Sequence, residues 1–160
     1  MSADAGSAAE DGSVFRLPLQ TERFFLEPLT PTDFNALYAV ASDPLLWEQH
    51  PEADRWKRSK FRHFFQDGLT NDLGCFVIKE KRSGRPAGSI RFYGFNEADR
   101  CIGIGSTFIA RELWGTAANR EIKEAMLMRA FNAVNRVFFD IGPQNFRSIA
   151  AVKKLVAVFS

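Results

Sequence analysis

The chain has 160 residues, a formal net charge of +2 at pH 7, 46% hydrophobic residues and 25% charged residues. This length and composition are typical of one ordinary globular domain with a proper hydrophobic core. The small net charge does not by itself indicate nucleic-acid binding, and no apolar run approaches the roughly 18 residues of a membrane span.

The first 13 residues are rich in Ser, Ala, Gly and Asp. They contain neither the basic flank nor the apolar run of a signal peptide. We therefore expect a disordered tail over residues 1–13, followed by a single domain over residues 14–160. We also expect the protein to be cytoplasmic.

The cysteines and histidines form no metal-binding pattern. Cys75 and Cys101 lie in strand-like runs without zinc-ligand spacing, so we expect reduced thiols and no bound metal. His50 and His63 match no ligand pattern either, and we expect no catalytic role for them.

The first predicted elements are a strand at residues 24–26 and a helix that begins after it. Residues 30–33 have the spacing of a capping box with proline at the first helical position. The apolar face of this helix is formed at helical spacing by Phe34, Leu37, Tyr38 and Ala41. A second helix is predicted over residues 52–66, with Gly68 as its C-terminal cap.

Three strands are predicted next. Residues 75–79 and 88–95 are apolar runs separated by a turn rich in Gly and Pro, which predicts a hairpin. Residues 101–109 form the third run. Within it, Gly103 and Gly105 indicate a bulge or a close approach of ligand backbone.

A loop of small residues, residues 114–121, separates this strand from a strongly helical segment at residues 120–134. Such a loop directs several backbone N–H groups to one side at the positive end of the helix dipole. The sequence therefore predicts a site for a phosphate or pyrophosphate group here.

The remaining segments predict a buried strand, a turn and a last helix. The strand covers residues 137–141, the turn residues 142–145, and the helix ends near Leu155. Residues 157–160 are predicted to begin one more strand. The element order, β-α-α-β-β-β-α-β-α, predicts an α+β fold in which helices flank a mixed sheet.

Four stretches of the chain, taken in order, resemble the GNAT superfamily of N-acetyltransferases. The resemblance is strongest to the Rim-type branch, which includes the ribosomal-protein N-terminal acetyltransferases. The stretches are residues 19–29, Asp43-Pro44 with Trp47, residues 114–121 with Ala130-Phe131, and residues 145–148 with Ala151 and Lys154-Leu155. The resemblance implies the GNAT fold, with a mixed, mostly antiparallel central sheet.

The resemblance also implies a cosubstrate and a set of site residues. Acetyl-CoA would donate an acetyl group to a primary amine, such as a protein N-terminus. The catalytic residue would be Ser148, which would protonate the leaving thiolate. The cosubstrate would be bound by Thr107, Phe108, Ile109, Trp114, Gly115, Thr116, Ala117, Ala118, Asn119, Arg120 and Asn145. The general base stays open between Glu97 and Glu112, because no spacing selects one.

Purely structural roles account for some of the same residues. Trp114 suits core packing, and Gly115 suits a turn. Asn145 and Ser148 suit the cap of the last helix. Glu121 and Lys123 suit the exposed surface of the preceding helix.

The chain departs from the family pattern in three places. Ala117 replaces a glycine, with an expected cost of about 1 kcal/mol if a positive φ is required there. Val156 replaces another glycine, and the chain ends at Ser160 where family members continue with two more strands. A C-terminally truncated member would have an open sheet edge, which a homodimer would cover. The departures also keep open a degenerate, non-catalytic domain that binds CoA weakly.

A third hypothesis rests on the basic cluster of Arg55, Lys57, Arg58, Lys60 and Arg62. This cluster suits either a solvated helix face or an acidic partner. A nucleic-acid-binding domain is the weakest of the three hypotheses, because no aromatic sheet signature accompanies the cluster. We therefore expect neither nucleic acid nor a membrane as a partner.

Overall fold

A computed structural model of the protein describes residues 12–159. Its strands are β1 (Leu19–Gln20), β2 (Phe24–Pro28), β3 (Phe76–Glu80), β4 (Pro86–Asn96), β5 (Cys101–Ile109) and β6 (Arg136–Phe138). They form one sheet in chain order. Every neighbouring pair is antiparallel except β5 and β6, which are parallel. The fold class is α+β with a mixed sheet, as predicted.

Four helices flank this sheet. They are α1 (Phe34–Ala41), α2 (Arg58–Thr70), α3 (Ala118–Phe131) and α4 (Phe146–Phe159). Short 3-10 turns precede several of them, and the one at Pro31–Asp33 has the predicted capping box with Thr30. No helix within residues 12–159 has the length and apolar character that crossing a membrane requires.

The two faces of the sheet bury different cores. Ile90 and Phe92 of β4 point to one face, where α3 covers them with Ile122 and Met126. The other face is covered by α1 and α2, and its core is mostly aromatic: Phe34, Trp47, Phe61, Phe64, Phe65 and Phe108. Because side chains alternate along a strand, Ser89 and Arg91 of β4 point to the aromatic face.

Several predicted boundaries were wrong. Helix α2 begins at Arg58, because turns occupy the preceding segment, and it continues to Thr70. Gly68 therefore lies inside the helix and is not its cap. A Cβ at Gly68 would lie 3.4 Å from Cys75 Sγ, so glycine lets the helix pack closely on the chain that enters β3. Strand β6 has only three residues. Residues 157–159 continue α4 and do not begin a strand.

Most of the predicted N-terminal tail, residues 1–11, lies outside the described residues. The chain just after it is packed on the sheet: a 3-10 turn at Ser13–Arg16 buries Phe15 completely. The Phe15 ring centroid lies 5.0 Å from that of Phe92 and 5.3 Å from that of Phe95. Phe15 thereby closes one side of the first core.

Glu121 attaches helix α3 to the start of β2. Its carboxylate accepts hydrogen bonds from the Thr21 hydroxyl, from the Arg23 backbone N–H at 3.0 Å and from Arg23 Nε at 2.9 Å. Burial opposes the charge, but these hydrogen bonds prevail and lower the pKa of Glu121. The expected surface role of Glu121 is therefore wrong, since the residue joins two distant segments.

We predict that Glu121→Gln lowers the free energy of unfolding by about 1–2 kcal/mol, because hydrogen bonds to a charged acceptor become neutral ones. Urea denaturation at pH 7 measures this change. A lowered carboxyl pKa stabilises the fold above its ordinary value of 4.5. The difference between the two proteins should therefore shrink as the pH falls through that value.

The matched control is Glu124→Gln on the same helix. Glu124 pairs only with Arg120 one turn away, at 2.7 Å, and such a surface pair contributes about 0.3–0.5 kcal/mol. Equal losses in the two variants would contradict the attachment role of Glu121.

Candidate functional site

A cleft opens in the sheet because β6 is short. Strands β5 and β6 pair only from Cys101↔Arg136 to Gly103↔Phe138. Beyond Gly103, β5 continues to Ile109, and no strand within residues 12–159 pairs with it on that side. This edge of β5 therefore offers free backbone groups to a ligand.

A β-bulge bends β5 beside this cleft. Its partner β4 advances two residues between Ser89 and Arg91, while β5 advances three between Phe108 and Gly105. The extra residue lies around Ser106, which has a φ of 50°. Such a bulge redirects the strand and its side chains. The bulge that Gly103 and Gly105 indicated in this strand is therefore present.

The two glycines of β5 serve a different purpose from the expected contact with ligand backbone. A Cβ on Gly103 would lie 2.7 Å from atoms of both Tyr93 and Phe138, and a Cβ on Gly105 would lie 3.1 Å from Tyr93. The glycines therefore make room for the Tyr93 ring on the aromatic face. The Tyr93 hydroxyl donates a hydrogen bond to Asp140 Oδ2 at 2.8 Å.

A cavity of about 550 Å³ lies in the cleft. It is lined by the end of β5, the loop before α3, the start of α4 and the chain after α1. The predicted site residues that line it are Thr107, Phe108, Ile109, Trp114, Gly115, Thr116, Ala117, Asn119, Arg120, Asn145 and Ser148. Ala118 does not line it: its methyl group is buried in the first core, and its N–H donates to Thr116 Oγ1 at 3.1 Å.

Half of the backbone N–H groups in the loop and first turn of α3, residues 114–121, are free. The Thr116 N–H donates to Leu113 O at 3.3 Å, and Thr116 Oγ1 accepts the Ala118 N–H. Within the described chain, the N–H groups of four other residues have no acceptor: Gly115, Ala117, Asn119 and Arg120. Together with the helix dipole, they form a site suited to an anion.

Backbone geometry at this loop corrects the expectation about Ala117. Its φ is −77° and its ψ is 0°, a conformation that any L-residue adopts without strain. The residue with a positive φ is Gly115, at 75°. The expected cost of replacing glycine at Ala117 is therefore absent, and one reason for the degenerate-domain hypothesis disappears.

Two polar side chains of the cavity wall have buried atoms without partners in the part of the chain that the structure describes. They are Asn145 Oδ1 and Thr107 Oγ1. Asn145 is only 8% exposed, although it precedes α4 directly. Its side-chain oxygen does not cap the helix, so the cap role is wrong for this atom. Such unsatisfied groups suit a ligand that carries its own amides or hydroxyls.

Trp114 is fixed between the sheet and α4. Its indole N–H donates to Ile109 O at 3.1 Å, and the Arg147 guanidinium lies 3.5 Å from the ring centroid. The Arg147 backbone N–H donates to Gln49 Oε1 at 3.1 Å. Trp114 thus has a packing role and lines the cavity as well.

The charged side chains that line the cavity are all positively charged. Among the described residues, the charged ones are Arg120, Lys123, Arg147 and Lys154, and no carboxylate lines it. Glu97 lies in the exposed turn between β4 and β5, and Glu112 lines a separate surface depression. The structure therefore brings neither proposed base into the cavity. Within the described chain, no group of three His, Cys, Asp or Glu residues is arranged to hold a metal ion.

The family profile described as an acetyltransferase (GNAT) domain matches residues 23–157. The chain belongs to this family. In this chain the GNAT fold consists of a curled six-stranded sheet with one parallel pair, β5 and β6, and a cavity beside the unpaired end of β5.

Solved GNAT structures support the fold at low sequence identity. A GCN5-related N-acetyltransferase from Brucella melitensis has 20% identity and a TM-score of 0.76, over 87% of this chain and 66% of that one. A Vibrio cholerae protein assigned as a ribosomal-protein-serine acetyltransferase has 16% identity and a TM-score of 0.69, over 88% and 83%. The microcin C7 self-immunity acetyltransferase MccE, solved with acetyl-CoA and AMP, has 13% identity and a TM-score of 0.70, over 84% and 78%.

Lys123 is one of the cavity residues that the sequence did not predict, with His50 and Arg147. It is only 7% exposed, lines the cavity and has no ion-pair partner in the described chain. Burial lowers the pKa of Lys123 to about 8. The expected surface role is therefore wrong. A signal was present: Lys123 lies one turn after Asn119, on the helix face that continues the phosphate-binding loop.

His50 also reaches the GNAT cavity, but as a neutral donor. Burial, and secondly the Arg55 charge, lower the pKa of His50 to about 4. Its Nδ1 accepts the Glu52 backbone N–H at 2.9 Å, which places the remaining proton on Nε2. In this tautomer His50 has no free lone pair on the ring, and it cannot act as a general base while the bond to Glu52 persists.

We predict that Gly115→Ala weakens acetyl-CoA binding by up to about fivefold, because the loop of the free variant relaxes from a positive φ that costs an L-residue about 1 kcal/mol, and binding must restore it. A Cβ at Gly115 meets no atom within 4 Å, so a steric clash does not contribute. The matched variant is Ala117→Gly, which should change the dissociation constant by less than twofold. Calorimetric titration measures both, and a tighter complex for Ala117→Gly would contradict the backbone argument.

We also predict that Lys123→Met weakens acetyl-CoA binding about tenfold at pH 7, because a buried cation facing the phosphates is lost. Lys123 loses its proton as the pH rises above about 8. The wild-type dissociation constant should therefore rise between pH 8 and pH 9.5, by no more than about tenfold in total, which is the loss expected for Lys123→Met. Lys123→Met should lack this rise, whereas Lys154→Met, an exposed control in the same cavity, should keep it.

Although Lys123→Met should weaken acetyl-CoA binding, it should make the ligand-free fold more stable. A lowered lysine pKa means that the ligand-free fold is destabilised at neutral pH and regains stability as the pH rises from about 8 toward the ordinary value of 10.5. Lys123→Met should therefore unfold at a higher temperature than wild type at pH 7. A lower Tm, with unchanged acetyl-CoA affinity, would make Lys123 a packing residue only.

Proposed function

We propose that the protein transfers the acetyl group of acetyl-CoA to a primary amine. The observation that carries this proposal is the free anion-binding loop before α3, which adjoins the unpaired edge of β5 within one cationic cavity. A diphosphate attached to an extended, amide-bearing arm matches these two features together.

Two groups of residues hold acetyl-CoA in this proposal. The free N–H groups of the loop from Gly115 to Arg120 bind the pyrophosphate, and Lys123 neutralises part of its charge. The backbone of residues 107–109 and the orphaned Oδ1 of Asn145 face the pantetheine amides. Trp114 fixes the loop against the end of β5.

Acetyl-CoA supplies an activated acyl group, and catalysis by the chain consists mainly of positioning. The amine nitrogen forms the new bond to the acetyl carbon, and the bond from carbon to sulfur breaks. Ser148 lines the cavity in the first turn of α4 and makes no hydrogen bond with another described residue. Its hydroxyl therefore remains available to protonate the departing thiolate, and it regains its own proton from the attacking nitrogen, so that serine ends unchanged.

The acceptor enters as a free amine. None of the described carboxylates lines the cavity, and the His50 tautomer has no lone pair to offer. A protein N-terminus fits this requirement better than a lysine side chain, because an α-amino group has a pKa of about 7.7–8.0. The likeness to the Vibrio cholerae ribosomal-protein-serine acetyltransferase supports the same acceptor class.

The test combines calorimetric titration of acetyl-CoA with a thiol-release assay on a panel of N-terminal peptides. We expect micromolar binding and amine-dependent thiol release. Ser148→Ala should lower kcat about 10²-fold and leave the dissociation constant for acetyl-CoA unchanged, as the loss of a general acid does. Ser59→Ala, an exposed serine at the start of α2, is the control.

The pH profile gives a second readout. With no general base, kcat/KM should rise about tenfold per pH unit up to the pKa of the acceptor amine, because only the neutral amine attacks. Binding of acetyl-CoA without thiol release from any amine would support a non-catalytic domain. Absence of binding would overturn the proposal.

A further inference from the structure

A pair of arginines on the aromatic face of the sheet lacks an anionic partner. Arg91, on β4, pairs in register with Gly105, next to the bulge of β5. It is only 8% exposed, and its Nε has no hydrogen-bond partner among the residues that the structure describes. A guanidinium with this little exposure normally has a carboxylate or carbonyl partner.

Arg55 lies against the same aromatic ring as Arg91. The Cζ atoms of Arg55 and Arg91 lie 4.3 Å and 5.2 Å from the ring centroid of Phe64. Arg55 also lies 5.3 Å from the Trp47 ring centroid. Neither arginine forms a salt bridge with a described residue.

The charges around this pair do not neutralise it. Burial lowers the pKa of Arg55; Glu52, Asp67 and Asp54 raise it from a distance, and the Arg91 charge lowers it further. Contact with an aromatic ring offsets only part of the cost of burying an unpaired charge, so the ligand-free fold holds Arg91 at a net cost.

The pair adjoins the wall of the cavity. Trp47 and Phe108 both line the cavity, and their ring centroids lie 5.5 Å apart. Both arginines contact the Phe64 ring. The centroid of this ring lies 6.0 Å from that of Trp47 and 6.1 Å from that of Phe108. An anion held by the arginines would therefore lie beside the bulge of β5, across the aromatic wall from the loop that binds the pyrophosphate.

We propose that Arg55 and Arg91 form an anion-binding subsite for the acceptor, so that the preferred substrates are primary amines that carry a carboxylate or phosphate group. This inference rests on the proposed acetyl transfer, because it assigns the acceptor side of the same site. The shared chemistry is a planar or tetrahedral oxyanion that accepts forked hydrogen bonds from guanidinium groups.

Three amines with the same aminoethyl unit test the proposal: ethanolamine, β-alanine and phosphoethanolamine. They differ only in a neutral, carboxylate or phosphate group at the same position. Calorimetric titration into the full chain with saturating CoA measures binding, and thiol release from acetyl-CoA measures kcat/KM. We expect at least one anionic amine to exceed ethanolamine tenfold or more in both measurements.

Three variants locate the effect. Arg91→Met and Arg55→Met should each reduce the preference for the anionic amine to less than threefold, mainly through KM, with ethanolamine and acetyl-CoA unaffected. Arg62→Met is the matched control: its Cζ lies 4.3 Å from the Phe34 ring centroid, but the residue is exposed on α2. This variant should keep the full preference.

Thermal unfolding separates a binding role from a structural one. Because an unpaired buried charge is removed, Arg91→Met should unfold at the same or a higher temperature than wild type. A lower Tm with an unchanged preference would make the arginines structural and overturn the proposal. Arg91→Lys, which keeps the charge but loses the fork, should retain only part of the preference and serves if Arg91→Met does not fold.

The outcomes distinguish this proposal from the proposed function. Equal binding of the three amines by wild type overturns the subsite, whether or not acetyl transfer occurs. Selective binding of the anionic amines without thiol release upholds the subsite and counts against the transferase. A preference for phosphate alone or carboxylate alone identifies which anion the pair recognises.

Discussion

The whole site depends on the early end of one parallel strand pairing. Strands β5 and β6 share only three residue pairs, after which β5 continues for six residues with one edge unpaired. After β6 the chain packs closely on Pro51 at Gly142, where a Cβ would lie 2.3 Å from Pro51 Cγ. Glycine is therefore required at this crossing. The cavity lies beside the free edge of β5, between it and α4.

The fold leaves several polar groups unsatisfied around this divergence. Among residues 12–159, Asn145 Oδ1, Thr107 Oγ1 and Arg91 Nε are buried without partners, and Lys123 is buried without a counter-charge. Each such group costs free energy in the ligand-free chain. These groups lie on both sides of the aromatic wall, which suggests that two ligands, one on each side, relieve the cost. Preorganised polar groups of this kind favour the bound state because they need no reorganisation on binding.

Turn residues and small residues in the sequence predicted β5 and the loop before α3, because neighbouring residues determine these elements. Strand β5 was predicted with its actual bounds, since turns delimit the run at both ends. The loop before α3 was predicted because small residues between a strand and a helix have few other conformations. The bounds of α2 were missed because residues 52–57 form turns, in which Trp56 packs onto the aromatic core without forming a helix.

The rest of the site depends on contacts between distant segments, which no local pattern records. Lys123 is buried on α3 and still lines the cavity, a position that depends on how the end of β5 and α4 pack around that helix. His50 reaches the cavity because Arg147 on α4 attaches to the segment that contains Leu46 and Gln49. Sequence patterns identify what a residue is able to do, whereas packing decides which residues share a cavity.

Arg147 has a consequence for how the chain resists unfolding. Its guanidinium lies on Trp114 and reaches Leu46 O at 3.5 Å, so one side chain joins three segments that are far apart in sequence. The cavity exists only when all three segments have assembled, and no fragment of the chain contains it. A molecule that fills the cavity therefore binds the native state alone, and at a hundred times its dissociation constant it would protect the chain by about 2.7 kcal/mol. The supply of cosubstrate in its surroundings would then regulate the lifetime of the protein.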